Sequence, residues 1–112
     1  MKLITAIVQP GMLNAIQVGL AQHGIKGMTV SEASGYARQR GHTEVYRGAE
    51  YTIDFISKVR LEVLSEDEDV ESTVEAIIKS ARTGSVGDGK VWVSPVDQVI
   101  RIRTGEVDHE AI

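Results

Sequence analysis

The chain lacks cysteine altogether and is poor in proline and aromatics, with two prolines, one tryptophan, three tyrosines and one phenylalanine in 112 residues. Without cysteine there is no disulfide framework, no thiolate metal site and no cysteine nucleophile, and a reducing compartment is compatible. Long apolar runs are missing too. The first hydrophobic stretch, from Leu3, ends at Gln9-Pro10, too short for the apolar segment of a signal peptide and far short of a membrane span, so a soluble protein is expected. Basic charge is not in excess: the formal net charge is −4. A nucleic-acid binder is ordinarily basic overall, with its Lys and Arg in an open stripe, so no nucleic acid is expected as a partner. With so few aromatics the core must be aliphatic. A domain of this size buries only roughly 60 to 70% of its unfolded surface, which makes added burial in an oligomer attractive.

What is present is ordinary for one globular unit spanning 1–112, at 42% hydrophobic and 25% charged. Leu3 to Val8 is β-branched-rich and reads as a buried strand closed by Pro10-Gly11. Leu13, Ile16 and Leu20 fall at helical spacing, with Gly24 as a stop. Gly27 to Gly35 reads as a second strand. Between Lys58 and Leu64, Val59, Leu61 and Val63 alternate with Lys58, Arg60 and Glu62, as in a strand with one covered face. Ser65-Glu-Asp-Glu68 has the form of a capping box, and its acids suit a helix N-terminus. Val70, Val74, Ile77, Ile78 and Ala81 continue as a helical stripe that Gly84 can end. Lys90 to Val93 is a further strand, broken at Ser94-Pro95 and resumed over Val99 to Arg103. Two strand-helix-strand units around a long insertion predict an α+β, ferredoxin-like βαββαβ sandwich with the loop between strands 2 and 3. Its two helices would cover one sheet face and leave the other for a polar surface or a further copy of the chain.

Seven of the twelve basic residues, Arg38, Arg40, Lys58, Arg82, Lys90, Arg101 and Arg103, lie beside glycines or at strand ends. They suggest a local anion pocket in an acidic protein; scattered solvated charge is the alternative. Gly84-x-x-x-x-Gly89-Lys90 superficially matches a phosphate-binding P-loop, but Val91 replaces the magnesium-binding hydroxyl and the loop runs from helix into strand. There remains a glycine-rich segment whose backbone N–H groups could form an anion nest with Lys90 and Arg82 at its margins, or simply a turn. Arg101 and Arg103, two apart on the expected strand, would share a face and suit a phosphate, or one would pair with Glu62. Residues 36–54 show neither period and hold Tyr36, Tyr46 and Tyr51, three of the five aromatics. A loop of that length is usually functional or disordered, and its tyrosines suit contact or modification, with Tyr36 the one best placed to fold back onto the sheet. His23, His42 and His109 make no metal motif. Trp92 belongs to core or interface.

Gly41-His-Thr-Glu-Val-Tyr-Arg-Gly-Ala-Glu-Tyr51 and Thr83-Gly-Ser-Val-Gly-Asp-Gly-Lys-Val-Trp-Val93 resemble the two signatures of the PII nitrogen-regulatory signal-transduction family, and the similarity runs along essentially the whole chain. The resemblance implies a cytoplasmic homotrimer of ferredoxin-like subunits, a regulatory ligand-binding protein rather than an enzyme, though compatible with weak ATPase activity. ATP and ADP would compete for the clefts between subunits, and 2-oxoglutarate would join through Mg2+ on ATP. By position, Gly87, Asp88, Gly89, Lys90, Arg101 and Arg103 match nucleotide-binding residues of the 82–90 B-loop and the 101–112 C-terminal segment, with Arg38 reaching them from the 36–54 T-loop. Thr29, Gly35, Glu62 and Leu64 match nucleoside contacts. Ala37, Gln39, Arg40, Gly41, Lys58 and Gly87 match the 2-oxoglutarate site, where Gln39 completes the magnesium shell and Lys58 pairs with a carboxylate. Tyr51 matches the tyrosine that a nucleotidyltransferase uridylylates or adenylylates. Tyr46, Arg47 and Tyr51 match partner contacts, including an ammonium transporter that would draw the protein to the inner face of the membrane, and other nitrogen-metabolism regulators. Ala49 removes the serine that another branch phosphorylates. Gln9, Ala37 and Ser57 stand where the family usually has Lys, Gly and Pro. The alternatives are a small phosphate-ester hydrolase or ATPase on the same fold, for which no nucleophile or general base is marked, and a PII-like sensor of another metabolite.

Overall fold

The computed structural model describes residues 1–36 and 55–112. The elements follow in the order β1 (Lys2–Val8), α1 (Leu13–Gln22), β2 (Thr29–Gly35), β3 (Ile56–Ser65), α2 (Val70–Ala81) and β4 (Gly89–Pro95), with short 3-10 turns at Pro10–Met12, Asp67–Asp69 and Asp108–Ala111. The strands make one four-stranded sheet in the order β2-β3-β1-β4, every neighbouring pair antiparallel. This is the split βαβ arrangement expected from the sequence, and residues 37–54 connect β2 to β3.

Strand alternation decides which residues meet the helices. Ile4, Ala6 and Val8 of β1 lie opposite Val63, Leu61 and Val59 of β3, and all six are buried. Ile16 and Leu20, one helical turn apart on α1, and Ala76, Ile77 and Ala81 on α2 complete an aliphatic core. The helices approach closely where both carry small residues: a Cβ on Gly19 would stand 2.5 Å from the Ser80 hydroxyl. α1 ends as expected at Gly24, whose φ is +81°. The Gly24 N–H donates to Ala21 and the Ile25 N–H to Leu20, a Schellman closure that folds Ile25 back against the core.

Four local expectations are corrected. Ser65 forms no capping box: it is the last residue of β3, is buried, and its hydroxyl donates to the Glu66 carbonyl. The acidic run instead winds into a 3-10 turn, and Asp67 receives the Met1 ammonium at 2.9 Å. On α2 the buried stripe takes in Thr73, whose hydroxyl is satisfied by the Asp69 carbonyl at 2.8 Å, while Ile78 stays partly exposed. Gly84 does not end α2, which stops at Ala81. Residues Val99 to Arg103 do not resume the sheet. The Arg101 N–H donates to the Glu106 carbonyl and the Gly105 N–H to the Arg101 carbonyl, so a reversal at Gly105, with φ +77°, turns this segment back on itself. Ile100 and Val107 make its single bridge.

Candidate functional site

The opposite face of the sheet is built one residue out of step with the core. In one row Trp92, Thr5, Glu62 and Thr29 lie side by side across all four strands; in the next, Lys90, Ile7, Arg60 and Ser31. Thr5 is only 1% exposed despite lying on this face, whereas Trp92 is 41% exposed. Arg60 and Glu62 pair along their own strand at 3.6 Å.

At one end of this face the α2–β4 connection carries the glycine-rich segment. The Asp88 carboxylate organises it. One oxygen accepts the N–H groups of Thr83 and Gly84 at 2.7 and 2.8 Å; the other accepts the Thr83 hydroxyl and, at 3.4 Å, the Gln9 amide. The Thr83 hydroxyl bond, then the backbone bonds, hold the Asp88 carboxyl below the ordinary carboxylate value. Gly84, Gly87 and Gly89 have φ of +91°, +104° and +106°. For Gly89 the reason is also steric, because a Cβ there would stand 1.8 Å from the Ile7 carbonyl oxygen. Lys58, 9% exposed, reaches across from β3 and donates to the Gly87 carbonyl at 2.9 Å. Among the described residues this ammonium meets one acceptor, the neutral Gly87 carbonyl, and further oxygen partners would favour its burial. On the helix side of the sheet a cavity of about 310 Å³ lies between this loop and α2, lined by Val8, Val74, Ile78 and Ala81 as well as by Arg82 and Lys90.

At the other end Thr29, Glu62 and Leu64 line a cavity of about 700 Å³, closed on one side by His109 and Ile112 of the C-terminal turn. His109 pairs with Glu66 across its rim. Arg101 binds Glu106 at 2.7 Å, not Glu62, and Arg103 is exposed, so the pair does not share a strand face.

The chain thus brings Lys58, Gly87, Asp88, Gly89 and Lys90 into one place and Thr29, Glu62 and Leu64 into another. Lys90 and Thr29 stand on opposite edge strands, separated across the sheet by three strand spacings or about 14 Å. Gly35 ends β2 opposite Ile56. Tyr36 does not fold onto the sheet; it meets Phe55 edge-to-face with ring centroids 5.5 Å apart. Ala37, Arg38, Gln39, Arg40, Gly41, Tyr46, Arg47 and Tyr51 lie outside the described residues. Sequence reasoning gives no role to Thr83, to Gln9 or to the His109–Glu66 pair. For Thr83 the available signal is its place five residues before Asp88 in a glycine-rich turn, a spacing at which an acid can collect the N–H groups behind it. Among the described residues no three His, Asp or Glu side chains cluster to hold a metal.

A family model described as nitrogen regulatory protein P-II matches residues 1–106. This chain belongs to the P-II family. It is 54% identical to the nitrogen regulatory protein P-II of Azospirillum brasilense, with all 112 residues of both chains covered. With the same full coverage it is 53% identical to that of Rhizobium meliloti (strain 1021) and 51% identical to that of Microchaete diplosiphon. Among the described residues no helix is long and apolar enough to cross a membrane.

Proposed function

We propose that this P-II chain is a trimeric nitrogen, carbon and energy signal transducer. It binds ATP or ADP in competition, adds 2-oxoglutarate when Mg-ATP is present, and regulates ammonium transport and other nitrogen-metabolism proteins through residues 36–54. The observation that carries this reading is the contact of buried Lys58 with Gly87, which sets a cation against the backbone of the glycine loop. That is the charge needed to receive a carboxylate beside nucleotide phosphates. Lys90 adds a second cation on the same loop. Magnesium would be held by phosphate oxygens and the Gln39 amide oxygen, hard donors that suit it.

The separation of Lys90 from Thr29 supports a site shared between copies. A nucleotide meeting both within one chain would lie flat over Ile7 and Arg60, whereas two copies offering opposite edges would enclose it. Because Ala37, Arg38 and Gln39 match both the family's ligand site and the base of the partner-binding segment, ligand identity would bias which arrangement of that segment is populated. The protein acts as a regulator in the cytoplasm, touches the membrane only through the transporter, and accepts a nucleotidyl group on Tyr51 from a transferase.

Calorimetry tests the reading: 2-oxoglutarate binds with Mg-ATP present and not without it, and Lys58→Met weakens that binding by about tenfold or more. Failure of 2-oxoglutarate to bind at saturating Mg-ATP overturns the sensor assignment.

A further inference from the structure

We infer that the Asp88 side chain is a positioning residue: it does not itself meet the ligand but holds the 83–88 backbone in the form that receives an anion. The inference rests on the reading that this loop binds nucleotide phosphates, and it assigns a division of work inside it.

A glycine-rich segment is, by its composition, the part of a chain with the most conformational freedom to lose. Left to itself it would have to be ordered by the ligand, at the expense of affinity. Here ordering comes from within. The Asp88 carboxylate accepts the N–H groups of Thr83 and Gly84, and the Thr83 hydroxyl donates to the same carboxylate while accepting the Ser85 N–H at 3.2 Å. Three successive backbone donors are thereby consumed by two side chains. The N–H groups of Val86 and Gly87, which follow directly, have no partner among the described residues. Those are the donors left to meet an anion, in a segment whose turns at Gly84 and Gly87 are already made. The Gln9 amide reaches the carboxylate from the end of β1 and Lys58 holds the Gly87 carbonyl from β3, so the loop is anchored to two strands as well as to itself. A carboxylate with this many donors is satisfied; adding phosphate charge beside it would be repulsive if it faced the ligand. Its geometry turns it toward Thr83 and away from that role. The depressed carboxyl value of Asp88 is consistent with a group kept ionised by these bonds.

The test has two readouts on the full chain. In amide hydrogen exchange without any ligand, the Thr83 and Gly84 amides are protected in the wild type, and Asp88→Asn and Thr83→Ala remove that protection while the strands keep theirs. In calorimetry, Asp88→Asn weakens ATP by about tenfold or more and Thr83→Ala by about threefold, Thr83→Ser restores wild-type binding, and adenosine, which has no phosphates, binds all of them within about twofold of one another. Unprotected amides in the wild type, ATP affinity unchanged in both loop variants, or equal losses for ATP and adenosine each overturn the inference. Protected amides in a wild type that binds no ATP would instead overturn the nucleotide reading while leaving the loop's internal ordering in place. Thr83→Ala, which removes one hydroxyl from an exposed side chain, keeps the test decisive should Asp88→Asn fail to fold.

Discussion

The two faces of one sheet are made from the same strands and differ in kind. Toward the helices, Ile4, Ala6, Val8, Val59, Leu61 and Val63 are all 7% exposed or less and wholly aliphatic. One residue out of step, the other face mixes Leu3, Thr5, Ile7 and Leu64 with Arg60, Glu62, Lys90 and the half-exposed Trp92. A strand's period of two lets one short sequence do both jobs without compromise. The first face holds the chain together; the second, with the two ends of the sheet, is free to carry charge, cavities and contacts with other molecules.

The sharpest way to break the contrast is to damage the first face. Leu61 is fully buried on a central strand between β1 and β2, so Leu61→Ala should cost about 2 to 5 kcal/mol in chemical denaturation. Arg60→Ala, its neighbour on the other face, should stay within about 0.5 kcal/mol. Gly89 tests the border between the faces. Its Cβ would stand 1.8 Å from the Ile7 carbonyl, so Gly89→Ala should force β4 from β1 and lower the melting temperature of ligand-free protein strongly. Gly84 meets nothing within 4 Å, and Gly84→Ala should cost only the left-handed backbone penalty of about 1 to 2 kcal/mol. Equal melting of the two variants would contradict the account of Gly89 as a steric necessity.

The same contrast explains what was legible in the sequence. The β3 alternation and the Ile16–Leu20 spacing are periodic, and periodicity survives into structure because it is a statement about burial. The glycine loop and Lys58 stand out in the sequence as glycines and basic charge, and the structure brings them into contact at Gly87; the long similarity to the PII signatures identifies the family. What failed was set by single contacts at element ends. Ser65 looks like a cap, yet the ladder with Lys2 keeps it in β3. Val99 to Arg103 alternates like a strand, yet Gly105 and Glu106 offer it nearer hydrogen-bond partners than the sheet does. Asp88 reads as one more polar loop residue, because its value lies in backbone donors that no side-chain pattern displays.

On the second face the effect should move from stability to association. Trp92 flanks buried Thr5 on β4 and leaves much of its ring uncovered, the property of an aromatic that contributes at an interface between copies. Trp92→Ala should preserve the far-ultraviolet spectrum and, in sedimentation velocity at micromolar concentration, shift the protein toward smaller species. An unchanged sedimentation coefficient would assign that face to solvent.

The smallest effect belongs to the rim of the 700 Å³ cavity, where His109 pairs with Glu66. The hydrogen bond to Glu66, then its charge, with Glu110 and Glu68 adding to it, raises the His109 imidazole above its ordinary 6.5. A folded value above the unfolded one means the pair's contribution is complete below the unfolded value and is lost as pH rises through the folded one. Its window therefore opens just above pH 6.5, opposite in sense to Asp67 and Asp88, whose lowered values make their contributions vanish as pH falls toward and below 3.8. Both His109 and Glu66 reach solvent, so salt should screen the pair and keep the effect on global stability slight. The local effect is easier to read: in a proton NMR titration the His109 ring should show a midpoint above 6.5 that falls in high salt and in Glu66→Gln. A midpoint at or below 6.5, insensitive to both, would mean that the C-terminal turn is not held to β3–α2 by this contact. The cavity beside Thr29 and Glu62 would then be open on that side at every pH.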